Sequence, residues 1–222
     1  MAHKPPPLIL WSTDLMAGLF ITFEGIDGSG KSTQSKLLAE TLRDQGVDVV
    51  HTREPGGSAG AEEIRALVLE GDPDRWSPET EILLFTAARR DHLERLIAPE
   101  TAAGKTVICD RFADSTRMYQ GLRAEGLRKI VDDLHDLMIG REPDLTFIID
   151  MDPQKGHARA KGRGGHEERF EDFGADLQVK MRAGFLALAA AHPERCVVID
   201  GDRSIDAVAR DVLAQTTNRL RS

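Results

Sequence analysis

Gly25-Ile26-Asp27-Gly28-Ser29-Gly30-Lys31-Ser32 satisfies G-x-x-x-x-G-K-[ST] at every fixed position. No other stretch constrains the chain as much. Such a loop works only between a strand and a helix. Its glycines let the backbone wrap, its N–H groups point inward, and the following helix adds its positive end to an anion site. The flanks agree with that requirement. Leu19-Phe20-Ile21-Thr22-Phe23 is β-rich and runs into Gly25, so it reads as a buried strand. From Ser32 to Gln45, Leu37, Leu38, Thr41 and Leu42 share one stripe and Gly46 follows as a stop, which predicts a helix. In this setting Lys31 can reach the β- and γ-phosphates of a nucleoside triphosphate, and the Ser32 hydroxyl can join a magnesium shell.

The rest of the chain repeats the alternation. Val47 to Val50, Thr106 to Asp110, Leu145 to Ile149 and Cys196 to Ile199 are further short apolar strands. Helical stripes fall between them: Ile64, Leu67 and Val68; a long one from Pro78 to about Ala103; Leu127 to Met138; one ending near Ala191; and one through Ile205, Val208 and Val212. Strands alternating with helices predict a three-layer α/β domain with a parallel sheet covered on both faces. That domain is expected over residues 19–222, with residues 1–18 as a disordered N-terminal extension. Residues 153–172 are charged and glycine-rich and are expected to form a short mobile lid that brings cations to a phosphate.

Composition excludes several other uses. The chain has 29 Lys+Arg against 37 Asp+Glu, a formal charge of −8, which argues against an extended nucleic-acid surface. No apolar run approaches the ~20 residues of a membrane span. Cys109 and Cys196 lie in apolar runs without metal-ligand spacing and read as buried thiols, so a cytoplasmic protein is expected. The seven histidines are scattered, and His166-Glu167 lacks the second histidine of a zinc-hydrolase motif. They read mostly as surface residues. A guanine-reading segment is missing, because the one asparagine, Asn218, is followed by Arg219.

From about Leu19 to Leu220 the chain resembles the thymidylate kinase family. The markers occur in order: Phe23 to Thr33 around the phosphate loop; Thr52-Arg53-Glu54-Pro55-Gly56-Gly57; Leu84-Phe85 with Ala88-Arg89; Asp110-Arg111-Phe112 with Ser115-Thr116 and Tyr119-Gln120; and then the basic lid. The resemblance implies a five-stranded parallel sheet of order 2-3-1-4-5, a homodimer, and phosphorylation of dTMP to dTDP with ATP and magnesium. It implies that Gly25, Ile26, Asp27, Gly28, Ser29, Gly30, Lys31, Ser32 and Thr33 hold ATP. Phe85 would stack on thymine and Arg89 would bond a base carbonyl; the apolar stripe of Phe85 offers core packing as the lesser alternative. Arg53 and Arg111 would hold the dTMP phosphate, in the segment shared with Glu54 and Pro55. Asp27 would meet the sugar and the acceptor phosphate, and Tyr119 would crowd the ribose 2′ position. Ser115, Thr116 and Gln120 would read the base edge. Asp110 would act with Ser32 at magnesium, yet Asp150 and Asp200 also end strands, so position alone does not choose among the three.

Some members of the family carry a catalytic arginine inside the phosphate loop. Here the variable positions are Ile26, Asp27, Gly28 and Ser29, so the resemblance is to the bacterial variant with that cation in the lid. Arg163 is the best match for it, with Arg159 next. Lys31, Arg53, Arg89, Arg111, Arg159, Lys161 and Arg163 are expected to converge on one cleft. Two rival readings stay open on sequence: another nucleoside-monophosphate or deoxynucleoside kinase, and a regulatory module that binds nucleotide through the same loop.

Overall fold

The computed structural model describes residues 18–72, 75–161 and 175–220, and of residues 160, 161 and 175 the backbone alone. The expected extension therefore lies outside the described residues, apart from Gly18. So do Arg163, His166, Arg169 and the side chain of Lys161.

In chain order the elements are β1 (Phe20–Glu24), α1 (Lys31–Asp44), β2 (Val49–Arg53), α2 (Ala59–Leu69) and α3 (Pro78–His92). One π-helical turn, Leu93–Ile97, joins α3 to the short α4 (Ala98–Ala102). Then come β3 (Thr106–Asp110), α5 (Ala113–Tyr119), α6 (Leu127–Met138), β4 (Leu145–Asp150), α7 (Pro153–Lys161), α8 (Ala175–Ala191), β5 (Cys196–Asp200) and α9 (Ile205–Leu220). All strand pairs are parallel, and the sheet order is β2-β3-β1-β4-β5, as the resemblance implies.

Local chemistry sets these boundaries. Gly30 stands at φ +104 before α1, and Gly46 at φ +84 after it, a conformation that glycine adopts at little cost. Ser77 caps α3 by accepting from the Thr80 N–H at 3.2 Å, and Pro78 occupies its first turn, where a missing N–H costs nothing. The region expected to be a flap begins as a regular helix, α7.

The core lies on both faces of the sheet because successive strand residues point to opposite sides. Ile21 and Phe23 pack with Leu38 and Leu42 of α1 and Val208 and Val212 of α9. Phe20, Val107 and Cys109 pack with Leu93, Ile97 and Phe112 on the other side. Both cysteines are buried and free, as expected. The register sets Phe23 beside Asp110, and Asp110 beside Arg53. Three strand ends thus open onto one edge where the order reverses between β1 and β3, the place where open parallel sheets bind ligands.

Candidate active site

The phosphate loop follows β1 with Gly25, Gly28 and Gly30 at φ +134, +75 and +104. A Cβ at Gly28 would collide with the carbonyl of Gly156. Helix α7 therefore lies main chain to main chain on the loop. Lys31 folds back so that Nζ donates to the Ile26 carbonyl at 2.7 Å. Burial and the neighbouring Arg111 push its ammonium down to about 8.

Two polar atoms at this end have no hydrogen-bond partner among the described residues: Ser29 Oγ and Asp110 Oδ1, both buried. Asp110 now separates from its rivals. Asp150 is taken by Arg182, at 2.7 and 2.8 Å, and Asp200 accepts from the Asp202 N–H at 2.9 Å. An unsatisfied carboxylate oxygen on a residue that lines the same cleft as Ser32 suits a hard cation. The described residues hold no cluster of three potential metal-binding side chains.

Arg111 sits at φ +71, the one non-glycine residue at positive φ among the described residues. That strain costs on the order of 1–3 kcal/mol and persists where surroundings enforce it. Here the Arg111 N–H donates to the Phe23 carbonyl at 3.0 Å. The side chain turns into the cleft, pairs with Asp27, donates to Ser115 Oγ at 3.0 Å and lies over the Tyr119 ring. The Tyr119 hydroxyl donates to the other Asp27 oxygen at 2.8 Å. Burial would raise the Asp27 pKa, but Arg111 and Lys31 outweigh it and hold the carboxyl below its usual range. Asp27 is thus built into an ion pair rather than into an Asx turn.

Glu24 supports this turn from below. Its carboxylate accepts from the Phe112 N–H at 2.7 Å and from Ser115 Oγ at 2.6 Å. Burial, aided by Asp114, pushes its pKa up to about 7. A folded-state value above the unfolded one contributes stability that is full below about pH 4.5 and is lost as pH rises through about 7. Glu24→Gln mimics the protonated form. Its thermal midpoint is expected to gain on the wild type between about pH 5 and 8, by an amount equivalent to roughly 2 kcal/mol. Parallel melting curves across that range would refute the assignment.

The opposite end of the cleft is built by α3 and the turn after β2. Arg89 is buried, not on a solvated helix face. Its Nε donates to Glu54 at 2.7 Å, and its Nη2 donates to the Phe112 carbonyl at 3.1 Å and to Thr116 Oγ1 at 3.0 Å. Phe85, one turn earlier, is half-buried and lines the cleft. Arg53 is exposed and pairs with Glu62 at 3.1 Å. Gln120 Nε2 lies 3.5 Å from buried Glu81.

A single cleft of about 730 Å³ joins the two ends. Its wall includes Asp27, Gly28, Gly30, Lys31 and Ser32, and facing them Arg53, Glu54, Pro55, Phe85, Arg89, Asp110, Arg111, Ser115, Thr116, Tyr119 and Gln120. Gly25, Ile26 and Ser29 are buried within the loop, while Thr33 is exposed and does not line the cleft. Four of the seven expected cations line the cleft. Arg159 does not, because the loop after β5 holds it: Nη1 donates to the Gly201 carbonyl at 3.3 Å, and Nη2 lies 3.6 Å from Asp202. Lys161 and Arg163 carry no described side chain.

Sequence reasoning missed the α2 face. Glu62, Arg65 and Leu69 line the cleft; Glu62 accepts from the Gly57 N–H at 2.9 Å, and Arg65 donates to the Pro55 carbonyl at 2.6 Å. Their spacing on a helix opening after the Gly-Gly turn was the available signal. It also missed His92, which is fully buried rather than on the surface.

A phosphate loop at the head of a parallel sheet, facing arginines across one cleft, defines a P-loop phosphotransferase with a second site for an anionic acceptor. Comparison with known proteins narrows this class. The sequence profile of the family described as Thymidylate kinase matches residues 23–212. The chain is 74% identical to the thymidylate kinase of Ruegeria pomeroyi over 195 residues, covering 88% of this chain and 92% of that one. It is 66% identical to that of Dinoroseobacter shibae, covering 90% and 97%. The crystal structure of the thymidylate kinase from Ehrlichia chaffeensis superposes with a TM-score of 0.70 at 38% identity, covering 90% of this chain and 99% of that one. The chain belongs to the thymidylate kinase family and is an enzyme, a kinase acting on thymidylate.

Proposed function

We propose that the cleft transfers the γ-phosphoryl group of ATP to the phosphate of dTMP, giving dTDP, with the residues above in defined roles. The observation that carries this is the placement of Phe85 and Arg89 on one face of α3, lining the same cleft as Lys31 and Ser32. A ring for stacking and a fixed guanidinium then sit at one end, and a triphosphate cradle at the other. A coupled assay with dTMP, dUMP, dCMP, dAMP and dGMP tests it. Turnover on dTMP well above the rest is expected; none on dTMP would overturn it in favour of another monophosphate kinase.

The acceptor needs no general base. The second pKa of a phosphate monoester is about 6, so its attacking oxygen is largely ionised at neutral pH. The task is to align two polyanions and neutralise them. Arg53 and Arg111 hold the acceptor phosphate, and Asp27 keeps Arg111 aimed across the loop. The loop N–H groups and Lys31 hold the donor, and Ser32 and Asp110 would hold magnesium. When bound, that ion would neutralise charge on the donor phosphates. Arg163 supplies the lid cation.

Tyr119 offers a separable test, because its ring and its hydroxyl have different partners. Tyr119→Ala is expected to lower the dTMP preference over the ribose analogue by about tenfold, one ring's worth of crowding. Tyr119→Phe keeps the ring, so the ratio should stay within about threefold while kcat/KM falls with the lost Asp27 bond. Equal ratios in wild type and Tyr119→Ala would remove the ring from ribose selection.

A homodimer fits the surface. Leu67, Leu83, Ile130, Leu137 and Met138 are exposed on α2, α3 and α6, and α3 packs against both of the other helices. No described helix is long and apolar enough to cross a membrane. The cytoplasm suits an enzyme that draws on ATP and dTMP.

A further inference from the structure

Behind the base end of the cleft, Glu54 and Arg89 of its wall are backed by two polar side chains, His92 and Thr52, that do not line it. His92 is fully buried on α3, one turn after Arg89, so the two share a helix face. Its Nδ1 meets Glu54 Oε1 at 3.0 Å, and its Nε2 meets Thr52 Oγ1 at 2.9 Å. A carboxylate only accepts hydrogen bonds, so Nδ1 is the donor. The second oxygen of the same carboxylate accepts from Arg89 Nε at 2.7 Å. Thr52 in turn is fixed in β2, opposite Cys109 of β3.

The packing around the ring leaves it no alternative position. A Cβ on Gly57, at φ +90, would collide with His92 Nε2 and Thr52 Oγ1. The second glycine of the turn thus lies flat against the imidazole. Glu54 is itself buried, and a buried carboxylate with one free oxygen could swing between partners. Two donors on two different oxygens remove that freedom. Arg89 then has Nε and Nη2 engaged inside the protein, and Nη1 is the nitrogen with no bonded partner among the described residues.

We propose that His92 is a positioning residue for base recognition: through Glu54 it sets the guanidinium of Arg89, and so governs dTMP binding without touching dTMP. The inference rests on the thymine-reading role given to Arg89 above.

Two variants of similar size separate this role from bulk packing. In His92→Asn the side-chain amide stands where Nδ1 stands and can still donate to Glu54. In His92→Gln it reaches the Nε2 position and meets Thr52 instead. His92→Gln is expected to raise the dTMP KM about tenfold, the loss of one hydrogen bond to a charged group. Its kcat and ATP KM should stay within about twofold, and its preference for dTMP over dCMP should fall. His92→Asn should hold the dTMP KM within about threefold of wild type. If the Gln variant does not fold, Thr52→Val replaces it, with a dTMP KM raised about threefold at constant kcat. Equal dTMP KM values in the Asn and Gln variants, or a folded Thr52→Val with the wild-type KM, would overturn the relay. Wild-type protein without dTMP-dependent turnover would instead overturn the reading of the site itself.

Discussion

Arg111→Ala is expected to lower kcat/KM for dTMP about a thousandfold while the protein stays folded. The side chain is asked to do two things at once. In its proposed role it neutralises the acceptor phosphate, where each hydrogen bond to a charged group is worth about 1.5–3 kcal/mol. It also pairs with Asp27, whose other oxygen accepts from Tyr119 and whose second neighbouring cation is Lys31. Loss of two such bonds, with the Asp27 carboxylate left beside the acceptor's charge, amounts to about 4 kcal/mol, and each 1.4 kcal/mol is about a factor of ten. Arg111→Lys should recover part of the loss, because a point charge cannot span Asp27 and a phosphate as a planar fork does. Steady-state kinetics with a melting curve decides the matter. A kcat/KM within about tenfold of wild type in a folded Ala variant would shift acceptor binding onto Arg53.

The second large effect belongs to the lid. Arg163→Ala is expected to reduce kcat by about 10³-fold or more, the scale of an arginine finger, with the dTMP KM changed by less than about threefold. The phosphate loop itself carries no arginine. Arg159, the other lid candidate, is engaged by Gly201 and Asp202, so Arg159→Ala should cost much less. Near-normal turnover in Arg163→Ala would remove it as the finger, and a larger loss in Arg159→Ala would transfer the role there.

Much of this was legible in the sequence, for a physical reason. A phosphate loop is a local device, so its glycines, lysine and serine must be neighbours in the chain. Buried parallel strands write themselves as short apolar runs, and all five appear within three residues of where the pattern put them. Helix α5 was not legible. Its segment, Ala113–Tyr119, is short and polar, yet all seven residues are buried. Asp114 is satisfied by Arg117 and by Arg195, the latter 81 positions away, and Ser115 by Glu24, 91 positions away. No periodicity reveals burial that depends on such distant partners. His92 was hidden for the same reason: its spacing from Arg89 is local, but Glu54 and Thr52 lie about forty residues earlier. The lid was half legible, since glycine and charge mark it as irregular while its first nine residues, Pro153–Lys161, form a helix.

On the proposed reading, in which Arg89 meets the base, the bonds that fasten it also decide what kind of discriminator it is. Binding usually freezes a long side chain at a cost of about 0.5–1.5 kcal/mol. In this cleft the freezing has already happened on folding. A guanidinium so held cannot retreat from an exocyclic amino group, such as that of cytosine, offered where thymine offers a carbonyl. Two donors would then face each other without water, an arrangement worth several orders of magnitude in rejection when neither can yield. Fidelity of this sort comes from stiffness rather than from added attraction, and it would survive modest losses in affinity for the correct base.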